Sequence, residues 1–462
     1  MAAPVSRARE RGAGPTGASL SAGGTAPADR LLVWLLAGYP LWWALGLGRF
    51  AYWLFAVPMA AELVRRHRAE GLRVPPGFWL WALFLVWAVV GLAAVPLETP
   101  GTVPDSGGWG GALVRVADYL VLTVLLLYVG NARGLSPRAV AGALSLLCLA
   151  TVAGGYLGML APHFEFRAPL EYLLPEPLVS DSYVQDLIHP ASAQVMDIFG
   201  DDYARPKAPW EYTNVWGYML SLLLVWLVVA WRTHGSSPLV RWGAPAVAAL
   251  SVLPAVYSLN RALWAGLVLS LLYGGAVLLR GGRIALVAAC SAVALLALLV
   301  LALSPLAGMV ADRFSSPHSD GGRSASNSAA VAAADLSPVI GWGTTREAPG
   351  SADSIAVGPT AECPACGRHV IGNAGQLWTL LVAHGWGGTA LFLAFFASVA
   401  WRYRRVSSPV GLGALLCVLL LFWYMFFYVA LMSPLAVTVV AVAVLWREGE
   451  PSRADHIPGG RR

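Results

Sequence analysis

The sequence predicts an all-α, polytopic integral membrane protein with about twelve transmembrane helices and two long external loops. Three observations carry that expectation. Across 462 residues, 57% are hydrophobic and only 12% charged, whereas a soluble domain carries about 25% charged residues. The apolar residues fall in runs of roughly 16 to 25, the length a helix needs to span a bilayer. The basic residues lie in short loops between those runs and alternate from side to side, as the positive-inside rule requires. The formal net charge of +6 therefore reads as loop arginine, and nucleic acid is not expected as a partner. Lys207 is the single lysine in an Ala-, Gly-, Leu- and Pro-rich chain, a composition that fits a GC-rich bacterial genome.

Taken in order, residues 1–29 are rich in Ala, Gly, Ser, Pro and Arg and lack apolar periodicity, which predicts a disordered cytoplasmic tail. The first apolar run begins at Leu31. It has no convincing small-residue cleavage site, so it reads as an uncleaved anchor. Spans are expected near 31–47, 50–64, 77–95, 112–130, 138–161, 212–231, 243–258, 262–279, 284–304, 375–400, 410–428 and 431–446. The transmembrane region is 30–447, and 448–462 form a second cytoplasmic tail. With the N-terminus inside, the cytoplasmic loops hold Arg65, Arg66, Arg68 and Arg73, then Arg133 and Arg138, Arg232 and Arg241, Arg280 and Arg283, Arg402, Arg404 and Arg405, and Arg447. Arg49, in a tight external turn, departs from this pattern.

The connections 162–211 and 305–374 are the longest, and loops of that length are usually functional or disordered. The first is proline-, aromatic- and acid-rich and can pack as a lid. The second contains helix-like sequence around Ser324–Ala334, followed by the stretch Ser337–Gly388. There a polar Pro/Gly turn, SPVIGWGTTR, and a polar loop feed into the apolar helix GQLWTLLVAHGWGG.

Several groups can carry chemistry. ARPKAPWEYTNVWG (Ala204–Gly217) places Arg205 and Lys207 around a proline, followed by Trp210, Tyr212, Asn214 and Trp216. It reads either as an interfacial belt or as a cationic and aromatic site for an anionic glycolipid headgroup. In SLNRALW, Asn260 and Arg261 form a polar turn at the outer face. Arg261 is either a snorkelling arginine or a functional one that opposes the charge rule. Arg115 and Asp118 neutralise each other or mark a site inside a span. Arg313, His318, Asp320, Arg323 and Arg346 form a solvated loop or a surface for diphosphate or acidic sugar. Cys363 and Cys366 face the oxidising side in this topology, so a disulfide is expected. The Cys363-x-x-Cys366-x-x-His369 spacing lacks an evident fourth ligand, and no metal is expected. Cys148, Cys290 and Cys417 lie in apolar runs and read as packing residues.

On RPKAPWEYTN, SLNRALWAG, the DRF…R…SPVIGWGTTR run and GQLWTLLVAHGWGG, in that order, the chain resembles the O-antigen ligase and O-antigen polymerase superfamily, closest to its actinobacterial branch. The similarity covers roughly the second half of the chain. It implies a membrane glycosyltransferase that polymerises or transfers an undecaprenyl-diphosphate-linked glycan at the external face of the plasma membrane. By motif position Arg205, Arg261 and Arg323 would bind the diphosphate and be catalytic. Lys207, Trp210, Asn214, Asn260, Arg313, Arg346 and Gln376 would contact substrate. The partners implied are the polyprenyl-diphosphate-linked oligosaccharide, a glycan or other acceptor, and membrane lipid, with no cofactor. The histidine that ligases carry before this helix would fall near Asn373 or Ala374. His369 and His384 are out of register, which favours polymerase over ligase. A polysaccharide or lipid-glycan flippase also fits twelve spans. It would be expected to bury charges in the membrane and to show internal repeats, and the sequence shows neither a convincing repeat nor many buried charges.

Overall fold

A computed structural model describes residues 27–104, 106–132, 134–197, 202–235, 237–304, 306–315, 318–349, 368–430 and 432–450. It is predominantly helical. The first expected span is divided: α1 (Pro27–Ala37) and α2 (Tyr39–Ala44) meet at Gly38, with Pro40 in the first turn of α2. The second run continues through its arginines as α3 (Gly48–Glu70). Then come α4 (Phe78–Gly91), α5 (Trp109–Asn131) and α6 (Pro137–Leu160). Connection 162–211 forms the short helices α7 (Glu176–Val179) and α8 (Ser182–Ile188). It also forms an antiparallel ribbon, β1 (Ala193–Asp197) with β2 (Asp202–Pro206).

Helices α9 (Thr213–His234), α10 (Pro238–Leu250), α11 (Val252–Tyr257), α12 (Arg261–Arg280) and α13 (Ile284–Ala302) follow. Connection 305–374 contributes α14 (Leu306–Ser315), α15 (His318–Leu336) and a second ribbon, β3 (Arg346–Pro349) with β4 (Arg368–Ile371). The helix-like sequence at Ser324–Ala334 lies inside α15. The chain closes with α16 (Gln376–Arg402), α17 (Pro409–Tyr424) and α18 (Met432–Gly449).

Local chemistry explains several of these boundaries. Ser136 and Ser408 cap α6 and α17 through side-chain oxygens, each followed by a proline in the first turn, where a missing N–H costs nothing. Asn260 caps α12 by accepting from the Leu263 N–H at 3.0 Å. Among the described residues, seven helical segments are long and apolar enough to cross a membrane: 109–131, 137–160, 213–234, 238–257, 261–280, 376–402 and 432–449. The apolar helices at 78–94, 284–296 and 409–424 are shorter. Helix α3 is long, but Arg49, Glu62, Arg65, Arg66 and Arg68 dilute its apolar character.

Helices α9 and α18 form the centre. They pack against α6, α17 and α5. Small residues let the helices close, as in membrane bundles: Gly130 lies under Trp446, and Gly413 under Val229. The outer faces of α4 and α12 expose Trp79, Val86, Leu271 and Leu272, a surface suited to lipid. At one end of the bundle, Arg447 donates to the carbonyls of Val129, Ala132 and Leu135, and Arg402 pairs with Glu450. The two long connections lie at the opposite end, where α6 stops and α9, α12, α16 and α18 start.

Candidate functional site

The two halves of the stretch Ser337–Gly388 are packed into one another. Helix α16 is broken at Gly385, whose φ of 63° and ψ of −172° leave the helical region. The turn Ser337–Gly343 docks into the break. Trp342 N–H donates to Val382 O at 2.9 Å, Gly343 N–H to Ala383 O at 2.8 Å, and Trp386 N–H to Pro338 O at 2.8 Å. The turn thus satisfies backbone groups on both sides of the break. Such irregular backbone inside a membrane protein survives only where protein or a wet cavity covers it. Gly341 and Gly343 both have positive φ, 68° and 72°, and a Cβ at Gly341 would lie 2.4 Å from the Gly385 nitrogen.

His384 stands at this break, buried. Its Nε2 is 3.3 Å from the Tyr119 hydroxyl, and its Nδ1 has no partner within the protein. Next to Tyr119 in the chain, Asp118 pairs with Arg49 and accepts from Trp53 Nε1 at 2.8 Å. Arg115 is within electrostatic reach of both Asp118 and His384. The arginine that departs from the charge rule is thus held by the acid of the Arg115/Asp118 pair, 69 residues away. A buried ion pair of this kind is costly to form and costlier to break by removing one partner.

The residues expected to form a site divide into two groups. The first gathers around the turn between α17 and α18. Arg205, in β2 and buried, donates from Nε to Ser258 O at 2.7 Å. Two residues further on, the Asn260 side chain caps α12 and accepts from the Tyr428 hydroxyl, with Arg261 next to it. Arg323 on α15 donates to Phe427 O at 3.4 Å. Gln376 N–H donates to Tyr428 O at 2.9 Å, and its side-chain oxygen accepts from Ala430 N–H at 3.1 Å. Three separate segments, carrying Asn260, Arg323 and Gln376, therefore meet on residues 427–430, and Arg205 is held two residues before Asn260.

The second group has other duties. Trp210 is fully buried, stacked on Tyr39 with centroids 4.4 Å apart, and its Nε1 reaches Thr151 at 3.3 Å. Asn214 is half-buried in the first turn of α9. Arg346 is buried and binds Thr99 together with the carbonyls of Ala94, Val95, Leu97 and Trp342, so its guanidinium organises the connection after α4. A cavity of about 300 Å³ between that connection and Arg346 lies beside it. Arg313 belongs to α14. Cys363 and Cys366 lie outside the described residues.

Lys207 and Glu211 frame the entrance to α9. Burial pushes the Lys207 ammonium below its ordinary range, against the pull of Asp186, Glu211 and Glu165. Burial likewise raises the Glu211 carboxyl, opposed by its own backbone, Arg49, Tyr39 and Lys207. Within connection 162–211, Glu171 accepts from Ala168 N–H at 2.7 Å and contacts His189 at 3.0 Å. The sequence reading passed over Glu211, although it lies within RPKAPWEYTN; the signal was an acid in an otherwise cationic motif. Comparison of the chain with protein-family models, curated proteins and solved structures returns no match.

Proposed function

We propose that the protein is a plasma-membrane glycosyltransferase that extends or transfers a polyprenyl-diphosphate-linked glycan, in the manner of the O-antigen polymerase and ligase superfamily it resembles. The single observation that supports this reading most is the meeting of Asn260, Arg323 and Gln376 on one turn, with Arg205 held at Ser258, two residues before Asn260, and Arg261 next to Asn260. In this reading the chain crosses the membrane twelve times, with α3 and the shorter apolar helices among the spans, and both long connections face outside. The arginine-rich end is then cytoplasmic.

The donor sugar leaves from a diphosphate, so negative charge builds on phosphate oxygens as the glycosidic bond breaks. Guanidinium groups fixed beforehand stabilise that charge through planar, paired hydrogen bonds. The lipid enters sideways from the bilayer, so no nucleotide-binding fold is required. Purified protein in nanodiscs, given lipid-diphosphate-linked oligosaccharide, is expected to yield longer lipid-linked glycan. Absence of any lengthening or transfer to added glycan acceptor counts against this reading.

A second reading, a lipid-glycan flippase, is favoured by the buried Arg49 and His384, by the half-buried Asp118 and Arg115 near them, and by the break in α16. Broken helices and internal charges are common features of transporters. Proteoliposomes that move fluorescent lipid-linked glycan between leaflets without changing its length would favour the flippase. The topology common to both readings has its own test. Reporter fusions after Arg232 and within Ser351–Glu362 are expected to score on opposite sides of the membrane, and the same side for both would overturn it.

A further inference from the structure

Glu211 closes the segment that starts at Arg205 and runs through Lys207. Its carboxylate is buried and its two oxygens differ. Oε1 accepts from the Tyr39 hydroxyl at 3.3 Å, while Oε2 has no hydrogen-bond partner within the protein. The same Tyr39 hydroxyl is 3.2 Å from Ser433 Oγ in the first turn of α18. Ser433 lies just past residues 427–430, on which Arg323, Asn260 and Gln376 converge. Glu211 is thus tied by Tyr39 to the start of α18, just past the turn that Arg323 contacts, and by its own chain to Arg205. From the remaining elements it faces Lys207 on its own segment and Arg49 on α3, with Tyr52 of α3 beside it.

We infer that Glu211 is the general base of the transfer, its Oε2 taking the proton of the acceptor hydroxyl; this rests on the glycosyltransferase reading. As that proton moves to Oε2, the acceptor oxygen bonds to the anomeric carbon. The bond from that carbon to the phosphate oxygen breaks, and the lipid diphosphate leaves with the electron pair. One displacement inverts the anomeric centre and needs no further reactant. The setting suits the task. An oxygen sealed from bulk water discriminates against hydrolysis, which would waste the activated donor. Burial raises the affinity of the carboxylate for a proton, opposed in part by Arg49 and Lys207, the direction a base requires. Tyr39, with its hydroxyl on Oε1, fixes the orientation.

The test uses the full chain in nanodiscs with lipid-diphosphate-linked oligosaccharide as donor. Glu211→Gln keeps an acceptor for Tyr39 and removes the base. It is expected to lower turnover roughly a hundredfold or more, with donor binding and thermal stability close to wild type. Glu211→Asp is expected to keep partial turnover with an altered acid limb of the pH profile. In wild type, turnover should rise with pH as Glu211 loses its proton, with that limb above the ordinary carboxylate range. Asp186→Asn removes an exposed acid that reaches Tyr212 and is expected to be near wild type. Glu211→Gln within threefold of wild type, or a loss matched by lost donor binding, overturns the assignment. So does a collapse in Asp186→Asn alone. If Glu211→Gln does not fold, an unchanged pH profile in Glu211→Asp overturns it. A wild-type protein that neither extends nor transfers glycan removes the glycosyltransferase reading, and the base assignment falls with it.

Discussion

Arg205→Lys and Arg261→Lys are each expected to cut glycan extension by roughly ten- to a hundredfold, with expression matched to wild type. Each charge-assisted hydrogen bond lost should cost about 1.5–3 kcal/mol, and a loss confined to the transition state converts to that range of rates. Lysine keeps the charge but lacks the planar fork. For Arg205 the structure sharpens the argument: its Nε is already committed to Ser258 O at 2.7 Å. The guanidinium is therefore oriented by the chain just before Asn260. A lysine reaching Ser258 would spend its one nitrogen there. Arg323 is held by a longer contact, 3.4 Å to Phe427 O, so its replacement is expected to be milder. Donor affinity and turnover should be measured separately, because a clamp that acts on the transition state lowers turnover more than binding. Near-normal polymer from both Arg205→Lys and Arg261→Lys would remove the clamp.

The helical layout was legible because it rests on local signals. Long apolar runs are set by residues close in sequence, so α6, α12 and α17 could be read from the chain. What escaped reading depends on distant partners. Arg49 looked like a breach of the charge rule until Asp118 was seen beside it. Trp210 reads from sequence as an interfacial anchor or a substrate contact, yet it lies under Tyr39 in the core. Neither partner is near in sequence. The ribbons β1–β2 and β3–β4 were also missed. Their strands are short, and the segments between them carry no two-residue turn signal of the kind that announces a hairpin. The candidate site falls between these cases. Arg205, Asn260, Arg323 and Gln376 were each named from motifs, but only the fold brings the last three to residues 427–430 and Arg205 to Ser258 beside Asn260. Glu211 was hidden because an acid among cations reads as simple neutralisation. Its significance lies in an oxygen with no partner, which no sequence displays.

Gly341→Ala and Gly385→Ala are expected to destabilise the protein by about 3 kcal/mol each, the largest stability effects foreseen. A side chain in the left-handed region costs roughly 1–2 kcal/mol, and forcing a group into a packed interior adds about 1–3 kcal/mol. Both costs apply at each position. At Gly341 φ is 68°, and the new Cβ would meet the Gly385 and His384 nitrogens at 2.4 and 2.6 Å. At Gly385 φ is 63°, and the Cβ would meet the Pro338 carbonyl oxygen at 2.7 Å. These obstacles are backbone atoms, so no side-chain rotation relieves them. The turn would have to withdraw, leaving unpaired the N–H groups of Trp342 and Gly343 and the carbonyls of Val382 and Ala383. Gly274→Ala in α12 is the matched control: its Cβ meets nothing within 4 Å, and alanine is the better helix former by up to about 1 kcal/mol. Thermal unfolding in detergent, followed by the fraction remaining monodisperse, should put Gly274→Ala at or above wild type and both break variants well below it. The effect should also reach the buried charges, because the break positions His384 against Tyr119, one residue from the Asp118 that holds Arg49. Wild-type melting in Gly341→Ala would mean that the turn does not dock into α16. The account of how this chain keeps irregular backbone among its apolar helices would then fail with it.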